Sequence, residues 1–266
     1  MNWTATNAIE LSEATRFYRE SMQLLERERV PFMVGGAFAL ALYTGIARNT
    51  KDFDVFVKAT DVDLTLNVFQ RHGYRTEKTH PHWLAKVFQG EDLIDIIYRG
   101  GNGLCEVDES WLARAPTQEV LGVRAKICAP EEIIWMKAYI MERERYDGAD
   151  VAHLLLNCAE QIDWPHLVER FGPDWRVLLS HLALFGFIYP SERHRLPLAI
   201  IEELIDKMRR EGATPATERI CQGTLLSRAQ YLHDVRERAF RDARLDERCG
   251  MTKVEMDEWT ALRPRE

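Results

Sequence analysis

The chain has 266 residues, enough to bury one large core or two small ones. Its 46% hydrophobic and 29% charged residues are those of a soluble globular protein, and its net charge of −7 argues against broad adhesion to nucleic acid, though not against a local basic cleft. Five scattered cysteines with no CxxC spacing, a polar and acidic first segment and the lack of a long apolar run point to a cytoplasmic protein with reduced thiols and no membrane segment.

In chain order, apolar periodicity predicts an amphipathic helix over about Ala8–Glu28, ended by Pro31. Phe32–Val34 opens a first strand, Ala37–Tyr43 a small-residue helix with Gly45 as its C-cap, and Phe53–Val57 a second strand. Asp61–His72 reads as a helix. Trp83–Phe88 and Leu93–Tyr98 follow as strands, with a turn at Gly100–Gly103. Such an alternation predicts an α/β or α+β sheet. After Pro130 the texture becomes helical: Glu131–Glu144, Gly148–Cys158, Asp163–Phe171, Trp175–Tyr189 and Pro197–Glu211 carry helical periodicity, and no strand is expected. The boundary falls at 127/128, and the mixed-charge tail from Arg228 to Arg248 reads as a solvated helix packed back on the body.

The richest stretch is Phe32–Val57, where Gly35-Gly36 follows a short strand and Arg48-x-Thr50-x-Asp52-x-Asp54 leads into the next. The side-chain period of a strand is two, so Asp52 and Asp54 share a face. Two carboxylates held that close repel unless a cation lies between them, and a hard divalent ion suits oxygen ligands. Glycines followed by a helix N-terminus allow backbone N–H groups to approach an anion. Asp95, alone in the apolar run Leu93-Ile94-Asp95-Ile96-Ile97, is costly to bury unless it is paired or metal-bound. It is the expected third ligand of a cradle for two divalent ions.

Gly35-Gly36, then Asp52-Phe53-Asp54-Val55, then Asp95 resembles the DNA polymerase β-type nucleotidyltransferase superfamily. The Arg48-x-Thr50-x-Asp52-x-Asp54 form is similar to its AbiEii-like and small-molecule (aminoglycoside, lincosamide) branches. A later echo, Lys137, then Arg143, then Asp147-Gly-Ala-Asp150, is similar to the second motif of AbiEii-like proteins. The resemblance implies an α+β fold: a nucleotidyltransferase-type mixed β-sheet flanked by helices (1–127), then an all-helical C-terminal domain and tail (128–266).

It also implies a Mg²⁺- or Mn²⁺-dependent enzyme that moves NMP from an NTP such as ATP to an acceptor hydroxyl, releasing pyrophosphate. Asp52, Asp54 and Asp95 would be catalytic and bind metal. Gly35, Gly36, Arg48, Thr50 and Lys137 would bind the nucleotide, with Lys137 reaching the phosphates as a point charge. Arg143, Asp147 and Asp150 would stand behind them; Asp147 and Asp150, three apart, share a helix face. In the AbiEii-like branch such proteins are toxins of toxin–antitoxin pairs. The acceptor (small molecule, protein or RNA) is not named by any residue. Two other readings are a catalytically silent nucleotide- or partner-binding module and an enzyme acting on RNA 3′ ends. The first should have lost an aspartate of the triad, and all three are present. His80-Pro-His82 reads as a loop, His153, His166 and His181 as core-edge or surface residues, and Trp111, Trp135, Trp164 and Trp175 as core.

Overall fold

The computed structural model describes residues 13–48, 50–212 and 216–261. The first part of the predicted N-terminal helix, before residue 13, lies outside them. Helix α1 (Glu13–Arg27) buries Phe17, Tyr18, Met22, Leu24 and Leu25. Then come β1 (Met33–Val34), α2 (Gly36–Thr44), β2 (Asp52–Phe56), α3 (Val62–Arg71), β3 (Arg75–His80), β4 (Leu84–Gln89) and β5 (Asp92–Ile97). After α4 (Glu109–Arg114), the hairpin β6 (Thr117–Val120) and β7 (Val123–Lys126) leads into α5 (Pro130–Ala138).

The helical part continues with α6 (Gly148–Cys158), α7 (Trp164–Phe171), α8 (Trp175–Ile188) and α9 (Leu198–Gly212). The tail holds β8 (Ile220–Cys221), α10 (Leu232–Glu237), β9 (Arg241–Asp242) and α11 (Lys253–Ala261). The fold is α+β, as the resemblance implies.

Five strands form one mixed sheet in the order β1-β2-β5-β4-β3. Strands β2 and β5 are parallel; the other neighbours are antiparallel. Alternation along the strands sorts side chains onto two faces. Phe53 and Val55 of β2 lie in register with Ile94 and Ile96 of β5, which pair with Val87 and Ala85 of β4. All six are fully buried. Tyr18 of α1 stacks on Phe53 at 4.9 Å between ring centroids, and Phe38 of α2 meets it edge-on at 5.0 Å. Burying this apolar row fixes which way the alternate residues point: a one-residue slip would turn Asp52 and Asp54 into the core.

Polar contacts tie the helical part to the segment before it. Where β7 ends, the Cys128 N–H donates to the Val34 carbonyl at 3.0 Å, so α5 begins beside β1. Glu132 of α5, fully buried, accepts from His166 Nε2 (2.8 Å) and from Arg170 Nη2 (3.0 Å); Arg170 in turn grips Asp108, the N-cap of α4, at 2.6 and 2.8 Å.

At several places the structure departs from the sequence pattern or adds to it. β3, reading Arg-Thr-Glu-Lys-Thr-His, has no apolar pattern; pairing with β4 makes it a strand. The helix expected over Glu131–Glu144 ends at Ala138, and a short bridge between Met141 and Tyr146 tightens the connection to α6. The helical part contains a strand pair, β8 with β9. The tail packs back but is not a solvated helix: Arg244 is fully buried. His166 and His181 are buried, hydrogen-bonded residues. His80 ends β3, and His82 is buried in the turn after it, beside Trp83 and Trp259. Trp111 and Trp175 are core, each 1% exposed.

Candidate active site

The second face of the sheet carries the ionisable side chains of β2, β5 and β4. Asp54 of β2 lies directly in register with Asp95 of β5. Neighbouring strands are about 4.8 Å apart and register partners share a face, so these two carboxylates are adjacent. Asp52 is on the same side of β2, one pleat away. The row continues across the sheet from Asp95 to Lys86 of β4 and Glu77 of β3.

Burial first, then the charges of Asp52 and Asp95, push the Asp54 carboxyl up to about 7; Lys137 and Arg145 pull the other way. A carboxyl so disfavoured as an anion is relieved by a cation among its oxygens. The three side chains offer the hard oxygen donors that Mg²⁺ or Mn²⁺ takes. They do not yet converge as a ligand set: among the described residues no group of three or more His, Cys, Asp or Glu side chains is arranged to hold a metal. Two of the three carboxylates are hydrogen-bonded to neighbouring side chains. Thr50 Oγ1 donates to Asp52 Oδ1 at 2.5 Å, and Lys86 Nζ donates to Asp95 Oδ1 at 2.5 Å.

The glycines are placed by close packing. Gly35 precedes α2, and its N–H donates to the Asp54 carbonyl at 3.0 Å, so that amide is spent on the ladder. Gly36 opens α2 with φ +53°, and a Cβ there would overlap the Asp54 carboxylate. The N-terminal turn of α2 therefore abuts the carboxylate row, where a helix favours negative charge.

The second motif converges on the same place, because α5 and α2 both pack on α6. Near the end of α5, Lys137 Nζ meets Asp147 Oδ2 at 2.7 Å and Asp150 Oδ2 at 2.8 Å. Asp150 also pairs with Arg48, in the loop after α2. Arg145 holds Asp147 through two bonds of 2.8 Å. Burial works against a charged Asp147, but the Arg145 hydrogen bonds and the Lys137 charge outweigh it and bring the carboxyl down to about 2.

Arg143 is exposed; Arg145 is the arginine that joins the cluster. Lys86 and Arg145 are thus site residues that the sequence motifs do not single out. For Lys86 a signal exists: a lysine in the middle of Leu84-Ala85-Lys86-Val87-Phe88 is as anomalous as Asp95 in its own run. No sequence feature distinguishes Arg145 from Arg143. A groove of about 660 Å³, lined by Glu26, Phe32, Glu109, Leu112, Arg124 and others, contains none of these residues.

Residues 14–164 match the family described as Nucleotidyl transferase of unknown function (DUF2204). No curated protein is similar to the chain in sequence. Among solved structures it is similar to the antibiotic-resistance factor ANT(2'')-Ia (17% identity, TM-score 0.41, covering 64% of this chain and 94% of that one). It is also similar to the lincosamide antibiotic adenylyltransferase LnuA (15% identity, TM-score 0.38, covering 54% and 96%). A third is an antigenic nucleotidyltransferase-like protein from Paracoccidioides brasiliensis (15% identity, TM-score 0.42, covering 72% and 98%).

Proposed function

The chain belongs to the nucleotidyl transferase family of unknown function (DUF2204), and we propose on that footing that it moves NMP from an NTP to an acceptor hydroxyl. The observation that carries this reading is the register of Asp54 with Asp95, which puts three carboxylates on one face beside the N-terminal turn of α2. Asp52 and Asp54 would hold a divalent ion, Mg²⁺ or Mn²⁺, which when bound supplies charge neutralisation and polarises phosphoryl oxygens.

The chain's own groups do the rest. The α2 N-terminus at Gly36 faces the triphosphate's negative charge. Lys137 and Arg145, which act on Asp54 across the site, and Arg48 add positive potential where the triphosphate lies. Asp95 takes the proton of the acceptor hydroxyl as its oxygen bonds to the α-phosphorus. The bond from that phosphorus to the bridging oxygen breaks, and the electron pair leaves with pyrophosphate.

In this reading residues 1–127 hold the reacting groups, and residues 128–266 supply Lys137, Arg145 and an acceptor surface. Within the superfamily we place the chain beside the AbiEii-like and small-molecule branches, on the strength of Arg48-x-Thr50-x-Asp52-x-Asp54 and Asp147-x-x-Asp150. A cytoplasmic setting agrees with five unpaired cysteines. Among the described residues no helix is long and apolar enough to cross a membrane.

The test is incubation with Mg²⁺, cell extract and each NTP labelled at either the α- or the γ-phosphate. Nucleotidyl transfer leaves the α-label on the acceptor and the γ-label in pyrophosphate; RNase and protease treatment of the product then identify the acceptor class. Transfer of the γ-label alone, or of neither, would refute the proposal.

A further inference from the structure

Lys86 of β4 is the register partner of Asp95, and its Nζ lies 2.5 Å from Asp95 Oδ1. Both side chains are largely closed off from solvent, at 10% and 13% exposure. A strand lysine buried this deeply is costly unless a carboxylate meets it, and removal of either partner leaves an uncompensated charge. The pair is also part of the row Asp54, Asp95, Lys86, so the ammonium borders the very carboxylates that would bind metal.

We propose that Lys86 is a built-in cation of the transfer centre. Its ammonium occupies, against Asp95, the place of a second divalent ion, so the nucleotide-free protein binds one ion, at Asp52 and Asp54. The inference rests on the reading of the three carboxylates given above, and narrows the two-ion cradle expected from the sequence. Charge balance supports it. On the sheet face, one divalent ion and one ammonium match Asp52, Asp54 and Asp95, whereas two ions together with Lys86 would exceed them; Lys137, Arg145 and Arg48, paired with Asp147 and Asp150, add no net negative charge that a second ion would offset. Two metal ions in such centres stand about 3.5–4 Å apart, a spacing at which an ammonium on Asp95 and a second ion repel and compete. Lys86 is thus a positioning residue: it sets the orientation of Asp95 and the number of ions the site admits.

The experiment is a Mn²⁺ titration of the full chain without nucleotide, following the electron paramagnetic resonance signal of the free ion. Wild type should hold one tight ion, lost in Asp54→Asn. Lys86→Met should hold a second ion roughly tenfold or more tighter than wild type does, and Lys86→Arg, which keeps the charge, should behave as wild type. Melting in EDTA accompanies it: Lys86→Met should melt below wild type, and Mn²⁺ should restore the difference. Two tight ions on wild type, unchanged binding by Lys86→Met, or a stability deficit that Mn²⁺ does not repair would each overturn the role of Lys86 while leaving the three-carboxylate reading intact. No ion on wild type, with no effect of Asp54→Asn, would overturn both.

Discussion

Gly36 and Asp54 occupy complementary space: the Asp54 carboxylate fills the position where a Cβ on residue 36 would stand, and Gly36 itself has φ +53°. The glycine is therefore required twice, by backbone conformation and by the carboxylate pressed against it.

Gly36→Ala should cost more than the roughly 1–2 kcal/mol of a left-handed backbone alone, because Asp54 must also move. Transfer and Mn²⁺ binding should fall at least about tenfold, since small displacements of positioned groups are expensive. Gly45 is the control. It has φ +71°, and a Cβ on it would meet nothing within 4 Å, so Gly45→Ala should lower stability and leave transfer unchanged. Equal effects of the two substitutions on transfer would refute the link between Gly36 and Asp54.

The Asp54 carboxyl sets a pH dependence. Its value rises from the ordinary aspartate range near 3.9 to about 7 in the folded chain. The folded protein then binds a proton that the unfolded chain has released, so between about pH 4 and pH 7 stability falls as pH rises. In EDTA this contribution should amount to a few kcal/mol. Urea melts across this range with Asp54→Asn as reference measure it, and a wild type no more pH-sensitive than the variant would contradict the burial of Asp54. Adding Mn²⁺ at pH 7 should restore stability, because the ion stabilises the carboxylate form.

Lys137 and Arg143 should separate cleanly. Lys137→Met removes the cationic partner that Asp150 shares with Arg48 and that Asp147 shares with Arg145, both carboxylate side chains being below 10% exposed. Breaking a buried pair of this kind costs about 3–5 kcal/mol. Arg143 is exposed, so Arg143→Ala should change stability by no more than about 0.5 kcal/mol. Denaturant midpoints of the two variants decide the matter.

The features legible in the sequence are those with a strong local signature. The Gly35-Gly36 turn, the carboxylates of β2 and β5, and helix α6 all stand in apolar surroundings with a clear period. What escapes is set by partners distant in the chain. β3 is polar along its length and is a strand only because β4 pairs with it. The choice of Arg145 over Arg143 depends on how the chain turns between Met141 and Tyr146. Lys86 is out of place in its apolar run, but only the register that sets it against Asp95 gives it a role.

Arg244 is fully buried, holds Asp242 at 3.0 and 2.6 Å, and reaches Thr260 Oγ1 of α11 at 2.9 Å. Arg244→Ala should leave Asp242 buried without its main partner and loosen α11 before the sheet, seen as faster amide exchange over residues 241–261 with β2 and β5 still protected. Unchanged exchange there would show that the tail is held by other contacts.

The proposed transfer requires Asp52, Asp54 and Asp95 together. The most direct measurement is the rate of α-label incorporation by wild type and by Asp52→Asn, Asp54→Asn and Asp95→Asn, each with its fold checked by circular dichroism. All three folded variants should lose at least about a hundredfold, as expected for groups that bind the ion or move the proton. Wild-type rates in a folded Asp54→Asn protein would contradict it.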